Sequence, residues 1–204
     1  MLTPELTRRV EEAAAVLRAG GLVAYPTETF YGLGALASCA PALARLAAAK
    51  LRPEGKPLPL LAATPEAAFA LASAVPPLAL RLAGRFWPGP LTLVLPAAAG
   101  LAREITAGLG TVGVRVPGSE VARELSRLAG GPLISTSANL SGGPPPARAA
   151  DLAPALRARL DGILDAGPTP GGLPSTLVDV SGSALRLVRA GAVPWGDVEA
   201  ACAP

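Results

Sequence analysis

The stretch Leu22-Val23-Ala24-Tyr25-Pro26-Thr27-Glu28-Thr29-Phe30-Tyr31-Gly32-Leu33-Gly34 decides how the rest of the chain is read. Its first four residues are apolar, of strand length, and stopped by a proline, which cannot donate to a sheet ladder. Residues 27–34 then read as a loop that places two threonines and a glutamate at the carboxyl end of a buried strand. Upstream, Thr3-Pro4 supplies an N-cap and a first helical residue, and Leu6, Val10, Ala14 and Leu17 recur at helical spacing until Gly20-Gly21. The spacing predicts a helix over residues 4–19. Downstream, Pro41 opens a second helix that runs out near Lys50-Leu51-Arg52-Pro53.

Helix, strand and polar loop therefore alternate, and the pattern continues. Apolar runs at 58–62, 91–95, 112–116 and 133–136 have strand length and turn-rich borders, with helices expected at 65–74, 77–86 and 119–129. Late strands are expected at 162–165, 176–180 and 185–188, the last two joined by Ser181-Gly182-Ser183 as a hairpin. The class is α/β. Residues 1–204 are expected to form a single domain, and the Gly-, Pro- and Ala-rich stretch 141–150 is read as a mobile surface loop.

Composition narrows the chemistry. Histidine is absent, which removes Ser-His triads, imidazole bases and His-containing zinc sites. Aromatic residues make up only 3% of the chain, too few for a base-stacking platform. Cys39 and Cys202 lack CxxC spacing, and residues 1–21 carry Glu and Arg where a secretory leader would be apolar, so a reducing cytoplasm is the expected compartment. The most apolar stretch, 58–80, is broken by Pro59, Pro65, Pro76, Pro77 and Glu66, and no membrane association is expected.

The net charge is only +3, so the placement of cations matters more than their sum. Lys50 and Lys56 are the chain's only lysines, and with Arg52 they form a cluster on a helix end and the following turn. Such a cluster suits a polyphosphate, or it complements the helix macrodipole. The run Ser135-Thr136-Ser137-Ala138-Asn139-Leu140-Ser141-Gly142 follows an apolar strand with dense hydroxyls and one amide. These groups suit phosphate oxygens, a ribose or a metal ion, but taken alone the segment reads first as a plain Asx/Ser turn ending a strand. No lysine stands three residues after Ser135, Ser137 or Ser141, which disfavours a serine acyl-transferase. Arg115, alternating with Val114 and Val116, is either a substrate-carboxylate partner or one half of an internal ion pair, and Arg189 poses the same choice.

Taken together, residues 25–34, the Lys50/Arg52/Lys56 cluster, Trp87-Pro88-Gly89-Pro90-Leu91-Thr92, Val114-Arg115-Val116-Pro117, residues 135–142 and Ser175-Thr176 resemble the YrdC-like threonylcarbamoyl-AMP synthase family. The order and spacing match over residues 8–192, and the length suits the family's short, single-domain form. The resemblance implies a twisted, open mixed sheet flanked by helices, with a large basic concave cleft. It implies ATP, bicarbonate and L-threonine as substrates, Mg²⁺ as an aid, and tRNA and the downstream threonylcarbamoyl-transfer proteins as partners. By the same resemblance Lys50, Arg52, Lys56, Thr111, Ser137, Asn139, Ser141 and Arg189 surround the nucleotide, the first three as the catalytic cations, and no side chain is assigned as a metal ligand. Thr29, Arg115, Ser135 and Ser175 surround threonine. Many relatives carry a histidine that reaches threonine at or beside the position of Leu61, and that contact is missing in this chain. Two other classes compete: a non-catalytic RNA-binding module using the same cations, and a carbamoyl-transfer domain of related fold. The nucleotide reading requires the cation cluster and the hydroxyl-rich turn to face one hollow.

Overall fold

The structure is a computed structural model that describes residues 2–50, 55–182 and 184–202. Helix α1 spans Pro4–Arg18, its N-cap Thr3 accepting the Leu6 amide at 3.3 Å. Strand β1 is Val23–Pro26, and it returns at once through β2, Tyr31–Gly34, in the antiparallel register Tyr25↔Gly32. Only residues 27–30 are therefore loop, where the whole of 27–34 was expected to be. Glycine weakens the sequence signal of a strand, yet Gly32 and Gly34 are needed here. The Tyr25 ring lies over both, and a Cβ on Gly34 would sit 2.6 Å from Tyr25 Cε1.

Helix α2, Ala40–Lys50, leads to the short strand β3, Leu60–Leu61, and helix α3, Pro65–Phe69. The helix expected to reach residue 74 stops early, and Ala72 forms a bridge with Ala97 beyond it. Helix α4 is Pro77–Phe86, β4 Leu91–Pro96, α5 Arg103–Thr106, β5 Thr111–Arg115 and α6 Glu120–Ala129. Ser119 caps α6, accepting the Ala122 amide, and Gly130 closes it in the left-handed region at φ 86°. Then follow β6, Leu133–Ile134, and β7, Thr136–Ser137. The stretch 141–150, read as a mobile surface loop, is tied down: Tyr31 N donates to Pro146 O, Thr169 N donates to Ala147 O, and Ala149 is buried in a 3₁₀ turn, Ala149–Asp151. The remaining elements are α7 Pro154–Arg157, β8 Gly162–Ile163, β9 Thr176–Asp179, β10 Arg186–Arg189 and α8 Trp195–Cys202. Strands β9 and β10 pair antiparallel as expected, although Ser183 of the expected turn lies outside the described residues.

Among the described residues the strands divide into two mixed sheets where one was expected. One has the order β7-β2-β1-β8 and the other β10-β9-β4-β5-β3-β6. Residues 133–136, which read as a single strand, change sheets at Ser135. Leu133 and Ile134 pair with β3, whereas Thr136 and Ser137 pair with β2. The Ser135 amide, at the crossing, donates to Pro59 O at 2.8 Å. The larger apolar core draws on both sheets and on α2 and α4; a smaller one packs α1 and α6 against Tyr25, Leu61 and Leu133. Among the described residues, no helix is long and apolar enough to cross a membrane.

Candidate active site

Strand alternation builds one wall of the site. In β5, Val112 and Val114 are fully buried in the core, while Thr111, Gly113 and Arg115 face a cavity of about 570 Å³. In β4, Leu93 and Leu95 point into the core and Thr92 and Val94 face the cavity. The opposite wall comes from the other sheet, through Thr27, Thr29 and β2, and from the sheet-crossing segment Ser135 to Asn139. The cavity thus lies where the chain passes from one sheet to the other.

All four residues assigned to threonine by resemblance, Thr29, Arg115, Ser135 and Ser175, line it. Arg115 is almost enclosed, and Nη1 donates to Glu28 Oε1 at 2.6 Å, with side-chain exposures of 6% and 16%. The internal ion pair left open by the sequence is therefore present, on a residue that also faces the cavity. Arg115 Nη2 lies 3.4 Å from Ser135 Oγ, at the weak end of hydrogen bonding. Across the sheet, Ser175 Oγ is 2.9 Å from Thr92 Oγ1 and accepts from Arg189 Nη2 at 3.0 Å. Arg189 Nη2 also donates to Ser175 O at 2.8 Å. Desolvation, and then the charge of Arg115, hold the Arg189 pKa below its usual value. Two like charges facing one hollow favour an anion between them.

At the other end, Lys56, Thr111, Ser137 and Asn139 line the same cavity. An adjoining hollow of about 170 Å³ is bounded by Lys50, Lys56, Ser137, Asn139 and Ser141. The cation segment and the hydroxyl-rich turn thus meet, as the nucleotide reading requires. Lys50 is buried, and its ammonium donates to Ser137 O and, at 2.7 Å, to Asn139 O. Lys56 is exposed and makes no hydrogen bond or ion pair with the described residues. Ser137 Oγ donates to Asn139 Oδ1, and the Asn139 amide spans the turn to Leu140 O and Gly143 O. Arg52 lies outside the described residues. Arg189, grouped with the nucleotide by resemblance, lines the same cavity and is bonded to Ser175 of the threonine group. Leu61 is fully buried against the smaller core, and Pro59 is the nearby residue that lines the cavity.

A family model described as telomere recombination, covering the Sua5, YciO and YrdC proteins, matches residues 15–191. The chain belongs to the Sua5/YciO/YrdC family. A threonylcarbamoyl-AMP synthase of Pyrococcus abyssi is 43% identical over 94% of this chain and 58% of its own length. One from Bacillus subtilis is 41% identical over 96% of this chain and 57% of its own. The chain thus spans under three fifths of the length of these two relatives. A crystal structure of P. abyssi Sua5 complexed with L-threonine superposes with a TM-score of 0.92 at 42% identity, over 96% of this chain and 57% of that one. The α/β fold of the family, with mixed sheets and helices, is therefore the fold of this chain.

Two further polar residues were not singled out from the sequence. Thr92 stands alone among the apolar residues of β4, the same signal that marked Arg115 in β5. Glu28 sits inside the opening motif, but nothing in its local sequence links it to a partner 87 residues away.

Proposed function

We propose that the protein acts as a threonylcarbamoyl-AMP synthase in the cytoplasm, with residues 1–204 forming one YrdC-like domain. It forms L-threonylcarbamoyladenylate and pyrophosphate from L-threonine, bicarbonate and ATP. The observation that carries this reading is the joining, in one cavity, of Arg115 with Ser135, Ser175 and Thr29 at one end to Lys56 with Ser137 and Asn139 at the other. That arrangement suits an amino-acid carboxylate and a polyphosphate held side by side in a basic cleft, and the similarity to named synthases supports it.

In this mechanism the threonine amine captures bicarbonate as a carbamate with loss of water. A carbamate oxygen then attacks the α-phosphorus of ATP, the bond to the bridging oxygen breaks, and pyrophosphate leaves with the electron pair. No protein nucleophile is required. The chain's work is to position and to neutralise charge: Arg115 takes the threonine carboxylate, and Lys56, Lys50 and Arg52 balance the phosphates. Thr111, Ser141 and Arg189 complete the nucleotide's surroundings. Mg²⁺ suits oxygen donors and usually keeps phosphate and water ligands. No group of three or more acidic, cysteine or histidine residues that could hold a metal occurs among the described residues, but the Ser137 and Asn139 side-chain oxygens are of the right kind for an ion carried in on ATP. Bound there, it would offset phosphate charge. The adenylate would pass to tRNA through separate transfer proteins.

The test is incubation of the protein with ATP, bicarbonate and labelled threonine. A labile threonine-AMP conjugate should form, and omission of bicarbonate should abolish it. Salt-sensitive tRNA binding without threonine-dependent pyrophosphate release would point instead to an RNA-binding module.

A further inference from the structure

We infer that Glu28 is a positioning residue that holds the Arg115 guanidinium in register for an amino-acid carboxylate. The inference rests on the reading of Arg115 as the carboxylate's partner. Arg115 lines the cavity, whereas Glu28, which accepts from its Nη1, is not among the lining residues. It sits in the turn between β1 and β2, on one sheet, whereas Arg115 ends β5 on the other, so their pair also spans the two walls of the site.

The carboxylate is itself fixed from a third direction. Glu28 Oε2 lies 3.4 Å from the Ser119 amide, and the Ser119 hydroxyl donates to Pro26 O at 3.3 Å while capping α6. The start of α6, the end of β1 and the Glu28 carboxylate therefore form one frame beside Arg115. An arginine side chain has many rotamers and five N–H donors, and only a few of its orientations aim a donor edge at a bound carboxylate. Glu28 engages Nη1 at 2.6 Å in a nearly dry setting, which restricts rotation and leaves other donors for the ligand. Binding then does not have to order the fork. Glu28 also offsets a charge that Arg189 would otherwise repel more strongly.

The opposing effect is that a carboxylate beside Arg115 weakens its attraction for a second anion. Removing the Glu28 charge would then tighten threonine binding, so the sign of the change separates the two effects. L-Threonine and ATP affinities are measured separately by calorimetry on the whole chain, for wild type, Glu28→Gln, Glu28→Asp, Arg115→Gln and the Glu28→Gln/Arg115→Gln double variant. Positioning predicts that Glu28→Gln weakens threonine binding by roughly ten-fold or more, the scale of one hydrogen bond to a charged group. ATP affinity should stay within about two-fold, below the scale of such a bond. Glu28→Asp, which keeps the charge but shortens the reach, should fall between wild type and Glu28→Gln. In the Arg115→Gln background, Glu28→Gln should cause no further loss, because its effect passes through Arg115. Unchanged or tighter threonine binding, or equal losses for threonine and ATP, overturns the positioning role alone. A wild-type protein that binds no threonine overturns the functional reading as well.

Discussion

The ammonium of Lys50 donates to the carbonyl of Asn139 at 2.7 Å, while the carbonyl of Lys50 accepts the Ser141 amide at 3.1 Å. The end of α2 and the hydroxyl-rich turn are thus fastened through a single residue, in both directions. Lys50 is buried, so its replacement by methionine keeps the volume but strands two turn carbonyls. Lys50→Met should cost about 1–3 kcal/mol of folding stability in a denaturant titration, the scale of lost hydrogen bonds from a charged donor. Its nucleotide affinity should fall too, because Ser137 and Asn139 lose their anchor.

Lys56 should behave differently. It is exposed and bonds to none of the described residues, yet it borders both hollows. Lys56→Ala should therefore change stability by less than about 0.5 kcal/mol. Threonine-dependent pyrophosphate release should drop by on the order of 10²-fold, as for loss of one charge-stabilising donor. Normal release with an unchanged melting temperature would remove Lys56 from the mechanism.

Gly34 tests the β1–β2 hairpin. An added methyl would sit 2.6 Å from the Tyr25 ring, which is fully buried and pinned by its hydroxyl to Ile134 O at 3.1 Å. The ring has little room to yield. Gly34→Ala should destabilise the protein by about 1–3 kcal/mol, typical of overpacking, as read by denaturant unfolding.

What the sequence shows and what it hides separate by range. Helices α1, α4 and α6 are legible because their signals are local: Thr3-Pro4, Pro77 and Ser119 at the starts, and apolar residues at helical spacing behind them. The cavity-facing set Thr111, Gly113 and Arg115 is legible for the same reason, since alternation needs only the strand itself. The division into two sheets is not, because the break at Ser135 is made by partners on β2 and β3, far away in the chain. Likewise Arg115 announces itself as a lone charge in an apolar strand, but its partner Glu28 cannot be chosen among the chain's acids without the fold. Helix α8 carries too weak an apolar pattern to be read, and only Val198 is buried along it.

The tyrosines provide a pH test. Burial pushes the Tyr25 pKa up from 10.0 to about 12, and burial together with the Asp165 carboxylate raises that of Tyr31 further. These are the chain's only two tyrosines. A raised acid pKa means the folded state keeps its proton when the unfolded state has lost it. The associated stability is therefore fully present below pH 10.0, and it is lost as pH rises toward about 12. Tyrosinate absorbance should be nearly absent in native protein midway through that window and full in denatured protein. A native titration near the ordinary tyrosine value would show that Tyr25 is not enclosed.

Thr92 separates the architecture of the amino-acid end from its packing. Its hydroxyl is 2.9 Å from Ser175 Oγ, which also accepts from Arg189, so three side chains on β4, the start of β9 and β10 form one hydrogen-bonded row. Thr92→Val keeps the shape but leaves a hydrophobic group facing the Ser175 hydroxyl, which is itself buried. Loss of one neutral hydrogen bond costs about 1 kcal/mol, with a further penalty if Ser175 finds no other acceptor. Ser175 can respond by rotating toward Arg189 or toward solvent in the cavity, and either movement displaces a hydroxyl assigned to threonine. The variant should therefore stay folded, with a modest fall in melting temperature. Its KM for threonine should rise roughly five-fold or more, the size of one neutral hydrogen bond, while the KM for ATP holds. If both KM values move together, the row supports the sheet as a whole and not the threonine end in particular.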